Sequence, residues 1–142
     1  MRFWDSSAVV PLLTHEPGTG AARRLLRDDP NLVVWMLTRV EVMSALCRKR
    51  REGRLDAQEL ETSKRNLEKL AAHWVEIKAL LPVRGYAERF LVEHPLRAAD
   101  ALQLGAAWHH ADGHPKRREL VVFDGPLIDV AAKVGFRVVG RR

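Results

Sequence analysis

The chain has 142 residues, carries 24 Lys and Arg against 18 Asp and Glu, and has a formal charge of +6 with a pI near 10.1. Hydrophobic residues at 46% argue for a packed core and against disorder, and the length suits one domain, residues 1–142, that needs no disulfide or metal staple. No apolar run approaches the ~18 residues that span a bilayer, an acid at position five breaks any signal-peptide pattern, and a lone cysteine, Cys47, forms no internal disulfide and fits a reducing, cytoplasmic compartment.

In chain order, residues 2–5 read as a short strand and 6–14 as a short helix that Pro11 kinks or shortens. Glu16-Pro17-Gly18 is a loop. Residues 19–28 form an amphipathic helix with Ala22, Leu25 and Leu26 inward. Pro30-Asn31 breaks it, and Leu32-Val33-Val34-Trp35-Met36 reads as a buried strand. A long helix covers 38–52 and stops at Gly53. Asp56 is the expected N-cap of a helix running to about Ala72. Trp74-Val75-Glu76-Ile77 reads as a strand, and Pro82 opens a helix to about Glu93. After His94-Pro95 a helix covers 98–110. Asp112-Gly113-His114-Pro115 is a turn. A strand at 119–123, a helix at 126–134 and a closing strand at 136–139 complete the pattern. Strands alternating with helices predict a three-layer α/β/α sandwich with a mainly parallel sheet.

Four acids far apart in sequence stand at equivalent places in this pattern. Asp5 follows the first strand and Asp124 the fourth. Glu41 and Asp100 lie in the first turns of their helices. In a parallel α/β sheet, strand ends and the helix starts that follow them share one edge, where sites form. Each acid also has a local explanation. Asp5 and Asp124 can cap the helices after them. Thr38-Arg39-Val40-Glu41 matches a capping box. Asp100 suits the positive end of a helix dipole.

Together they point elsewhere. Two like charges ~4 Å apart repel by ~4 kcal/mol at an effective dielectric of 20, so converging carboxylates make sense around a cation, and such sites suit phosphoryl chemistry. On the 38–52 helix, Glu41 shares a face with Ser44, Ala45 and Arg48. Ser44 and Ala45 leave room for a substrate, and Arg48 can meet a phosphate or pair with an acid. Arg97, just before the Asp100 helix, has the same two options. The basic run Arg48-Lys49-Arg50-Arg51 with Arg54 suits a solvated helix end or a contact with RNA or an acidic partner, and Lys116-Arg117-Arg118 and Arg141-Arg142 are weaker cases of the same kind. His109, His110 and His114 lack the spacing and the cysteines of a zinc site. Trp4, Trp74 and Trp108 fit packing better than base stacking.

The segments Asp5-Ser6-Ser7-Ala8-Val9-Val10, Thr38-Arg39-Val40-Glu41, Leu96-Arg97-Ala98-Ala99-Asp100-Ala101-Leu102 and Val122-Phe123-Asp124 resemble the PIN-domain ribonucleases, and within them the VapC toxins of toxin–antitoxin pairs. The resemblance runs over nearly the whole chain. It implies a metal-dependent endoribonuclease using Mg2+, with Mn2+ able to substitute. It implies that Asp5, Glu41, Asp100 and Asp124 are the catalytic, metal-binding acids, with Ser6 as a supporting hydroxyl. Its expected partners are an RNA substrate, a cognate antitoxin protein and a second copy of the chain in a homodimer, with no membrane. Asp129 departs from the pattern as an additional acid, read as a solvated charge. Trp35 is bulkier than the pattern suggests, and either narrows the groove or packs.

Rival readings are distinguishable. A phosphoacceptor receiver domain requires a second acid pair and a lysine after the last strand. A haloacid-dehalogenase-type phosphatase requires Asp-x-Asp, where this chain has Ser7. A catalytically silent PIN-like module that binds nucleic acid or protein is the non-enzyme alternative.

Overall fold

The computed structural model describes residues 1–140; the basic pair Arg141-Arg142 lies outside the described residues. Five strands form one sheet: β1 (Arg2–Trp4), β2 (Leu32–Trp35), β3 (Val75–Ile77), β4 (Glu119–Val121) and β5 (Arg137–Val139). Their order is β3-β2-β1-β4-β5, and every pairing is parallel. The sheet is therefore wholly parallel. Between the strands run α1 (Ser6–Leu13), α2 (Thr19–Asp28), α3 (Thr38–Arg51), α4 (Ala57–Ala71), α5 (Leu80–Glu93), α6 (Ala98–His110) and α7 (Gly125–Lys133).

Strand side chains alternate between two cores, as the two-residue strand period requires. Phe3, Val33, Trp35, Leu120 and Val122 join one core with residues of α5, α6 and α7, such as Phe90, Leu104 and Leu127. Trp4, Leu32, Val34, Val121 and Phe123 join the other, with residues of α1 to α4, such as Val9, Ala22, Leu46 and Leu67. Helices on both faces of a parallel sheet explain why the central strands read as continuous apolar runs. This is the expected α/β/α sandwich.

Element ends differ from the sequence reading in small ways. Met36 and Trp74 fall outside their strands, and β4 stops at Val121, so Val122-Phe123 is an extended link to α7. The helix placed from Pro82 begins at Leu80, with Pro82 in its first turn, where a missing backbone N–H costs nothing. Pro11 lies inside α1. A single 3-10 turn, Pro115–Arg117, follows the expected turn at 112–115. α3 ends as expected before Gly53, whose φ of +75° suits glycine.

One capping expectation fails. The chain enters α3 at Leu37, which already has helical dihedrals and makes no side-chain cap bond. Thr38 is thus inside the helix and fully buried, and the Glu41 side chain bonds elsewhere. A capping box does form at α4, where Asp56 and Glu59 exchange side-chain to backbone bonds. Trp35 is fully buried, so it packs and does not narrow a groove. Cys47 is a free, half-buried cysteine on α3.

Candidate active site

The strand order reverses at β1. The chain leaves β1 toward β2 and β3, then returns to place β4 on its other side. Such a switch point opens a crevice at the carboxyl ends of the strands. Asp5 follows β1, and its backbone N–H donates to Val121 O at 2.9 Å. Asp124 stands at the N-cap of α7 beyond β4 without making a side-chain cap bond. Glu41 and Asp100 come from the first turns of α3 and α6. All four acids line one pocket of about 440 Å³, together with Ser6, Ser7, Ser44, Ala45 and Arg48. The helical face read from the sequence, Glu41 with Ser44, Ala45 and Arg48, is the pocket wall contributed by α3.

The acids sit in different environments. Asp5 is 4% exposed, and its Oδ2 accepts the Ser7 backbone N–H at 3.0 Å. The capping role is therefore real, but it leaves a charge buried. Burial is the main cause pushing the Asp5 carboxyl up to about 6; bonds from Ser7 oppose this, and the Asp100 and Asp124 charges add to it. Glu41 is pushed up to about 7, first by burial and then by the Asp5 charge, against bonds from Gln103 and Ser6. Asp100 is raised by burial and by Asp124, with Arg97 pulling the other way. Mutual repulsion among these groups is what a bound cation would relieve.

Hydrogen bonds hold the acids in place. Ser6 Oγ donates to Glu41 Oε2 at 3.1 Å. Gln103 Nε2 donates to Glu41 Oε1 at 3.1 Å. Ser7 Oγ accepts the Phe123 backbone N–H at 3.0 Å, tying the start of α1 to the link that carries Asp124. The Phe123 ring is wedged between two glycines: a Cβ on Gly18 would lie 2.9 Å from it, and one on Gly140 2.1 Å. Asp124, though exposed, is thus anchored through its neighbour.

The other sequence candidates separate clearly. Arg48 reaches the pocket. Arg97 does not line it, but its charge acts on Asp100. Asp129 is exposed on α7 and outside the pocket lining. Lys49 pairs with Glu16 at 3.2 Å and Arg54 with Glu52 at 2.6 Å, so part of the basic run at the end of α3 is used internally. Gln103 is absent from the sequence candidates. Its one signal there is a polar residue one turn after Asp100 on a face otherwise made of Ala, Leu and Gly.

Carboxylate oxygens are the donor type that Mg2+ and Mn2+ take, and buried acids with raised pKa values fit a cation among them. Among the described residues, no three His, Cys, Asp or Glu side chains are close enough to form a ready metal cage. Among the described residues no helix is long and apolar enough to cross a membrane.

Comparison with known proteins places the chain in a family. Residues 2–133 match the PIN domain. Ribonuclease VapC45 from Mycobacterium tuberculosis (strain CDC 1551 / Oshkosh) is 31% identical over 105 residues, covering 74% of this chain and 73% of the relative. Ribonuclease VapC49 from Mycobacterium tuberculosis (strain ATCC 25618 / H37Rv) matches with the same identity and coverage. With its parallel sheet, its switch-point pocket and these matches, the chain belongs to the PIN-domain family and groups with the VapC-type members of it.

Proposed function

We propose that this protein is a metal-dependent endoribonuclease, acting as a single nuclease domain and serving as the toxin of a type II toxin–antitoxin pair in the cytoplasm. The observation that carries the reading is the single pocket lined by Asp5, Glu41, Asp100 and Asp124 together with Arg48. Asp5, Asp100 and Asp124 would hold Mg2+ or Mn2+, directly or through water, and Glu41 would hold a second ion or orient the attacking water. When bound, the cation supplies a Lewis acid and a water of lowered pKa for in-line attack on phosphorus.

The chain's own residues do the positioning. Buried Asp5 gives a fixed reference at the pocket floor. Ser6 fixes one oxygen of Glu41. Ser44 and Ala45 leave the α3 wall open enough for a sugar–phosphate backbone. Arg48 meets a phosphate beside the acids, and Arg97 adds positive charge at the start of α6. A basic surface around an acidic pocket draws in a polyanion while keeping the reacting phosphate against the carboxylates.

Two surfaces support the partner assignments. A mostly apolar cavity of about 380 Å³ between α1, α2 and α4, with Leu12, Leu26, Leu70 and Trp74 flanked by Arg23 and Lys69, suits an amphipathic, acidic antitoxin segment. Leu37, Val40, Leu80 and Leu81 are exposed at the starts of α3 and α5, and we assign them to the homodimer contact.

The test is cleavage of structured RNA by wild type and Asp100→Asn in Mg2+, in Mn2+ and in EDTA. Cleavage that needs the cation and the carboxylate supports the reading. RNA binding without cleavage under all conditions would move the protein to the silent-module class.

A further inference from the structure

Gln103 is 1% exposed on α6, a helix that sends Leu104, Ala106 and Ala107 into the core. An amide in such a place is costly unless its hydrogen bonds are made. Its Nε2 donates to Thr38 Oγ1 at 3.0 Å and to Glu41 Oε1 at 3.1 Å, which uses both N–H groups. Its Oε1 is buried with no partner. A half-satisfied amide serves packing less well than a leucine or methionine of similar volume. The amide presents its nitrogen to two oxygens, Thr38 Oγ1 and Glu41 Oε1, the orientation an ionised Glu41 requires because a carboxylate only accepts.

With Ser6 on Oε2, each oxygen of Glu41 carries one donor, one from α1 and one from α6. The donor on α6 lies one helical turn after Asp100. The same helix therefore presents one acid to the pocket and steers another acid that comes from α3. Thr38 completes the link by fixing the Gln103 amide plane against the first turn of α3.

We infer that Gln103 is a positioning residue that sets the Glu41 carboxylate toward the cation site and couples it to Asp100, without touching metal or RNA itself. This rests on the metal-dependent nuclease reading of the same pocket. Partners of this kind, one shell out from the metal, typically change metal affinity or activity 10–100-fold when lost.

The experiment is Mn2+ titration of wild type, Gln103→Met, Glu41→Ala and the double variant, by calorimetry and by thermal shift, with RNA cleavage measured in parallel. Gln103→Met is expected to be at least as stable as wild type in EDTA, to bind Mn2+ about tenfold or more weakly, and to lose kcat with little change in KM. In the Glu41→Ala background the same change is expected to add nothing. Equal losses in both backgrounds would mark Gln103 as a packing residue and overturn the inference, as would unchanged affinity and kcat in the single variant. Failure of wild type itself to bind Mn2+ would instead overturn the metal reading. If Gln103→Met does not fold, Gln103→Asn keeps the amide but falls one methylene short of Glu41. The same losses are expected of it, and wild-type Mn2+ binding and kcat in Gln103→Asn would overturn the inference equally.

Discussion

Replacing Asp5 by Asn tests whether the pocket floor carries a buried charge. Asn caps a helix about as well as Asp, so the bond from the Ser7 N–H at 3.0 Å can be kept while the charge is removed. The Asp5 carboxyl rises from 3.8 to about 6 on folding, mainly through burial. At 1.36 kcal/mol per pH unit, that gap corresponds to about 3 kcal/mol. The sign follows from proton linkage. The folded state binds more protons than the unfolded state between these values, so this contribution is fully present below about pH 4 and is lost as pH rises through 6. In EDTA at pH 7.5, Asp5→Asn is expected to be more stable than wild type by up to about 3 kcal/mol, roughly 9 °C in Tm for a chain of this length. By pH 4 the two proteins should converge. Urea denaturation followed by tryptophan fluorescence reads this directly, since Trp4 is fully buried beside the mutated position. A variant destabilised by the same margin at both pH values would refute the reasoning and leave Asp5 as a cap alone.

Other outcomes follow from the same geometry. Wild type is expected to gain ~2.7 kcal/mol from Mn2+ at a hundred times its Kd and Asp100→Asn much less, measured by thermal shift in EDTA and with Mn2+. Gly140→Ala places a Cβ 2.1 Å from the Phe123 ring at a φ of +87° and is expected to cost about 3 kcal/mol or more in urea denaturation. Gly53→Ala, at a φ of +75° with nothing within 4 Å, should cost only about 1 kcal/mol. Ser7→Ala removes the acceptor of the Phe123 N–H and should cost about 1–3 kcal/mol, with a fall in cleavage because Asp124 loses its tie. Arg48→Ala is expected to leave stability unchanged and to lower the salt slope of RNA binding by about one, measured by fluorescence anisotropy on a non-cleaving variant.

How much of this site is readable from residues alone depends on whether the signal is local. Asp5 and Asp124 stand out because each ends an apolar strand, and Glu41 and Asp100 because each opens a helix. Those are sequence-local facts, and the parallel topology converts them into a single edge. The α3 wall is equally legible, since Glu41, Ser44, Ala45 and Arg48 follow helical spacing. The Thr38 capping box misleads for a physical reason: the chain becomes helical one residue early, so the same Thr and Glu are used in tertiary bonds. Gln103 is not legible, because its partners lie 65 and 62 residues away and a single amide on an apolar helix has no periodic signature. Ser7 is visible as a hydroxyl at a helix start, but its bond to Phe123 exists only because β1 and β4 are neighbours. The ends of β2, β3 and β4 shift because strand pairing, not apolar character, decides where a strand stops.

The placement of β1 between β2 and β4 also governs when the protein can act. β1 is formed by Arg2–Trp4, yet one of its two neighbours is β4, formed by Glu119–Val121. Such distant pairings fold slowly, because a long loop must close before the contact forms. At roughly 5–20 residues per second of synthesis, Asp124 emerges on the order of ten seconds after Asp5. Until then the nascent chain has an open strand edge on β1 and lacks one of the four acids. In an RNA-cleaving chain built this way the pocket is assembled only once the segment that carries Asp124 has been translated and β4 has paired with β1.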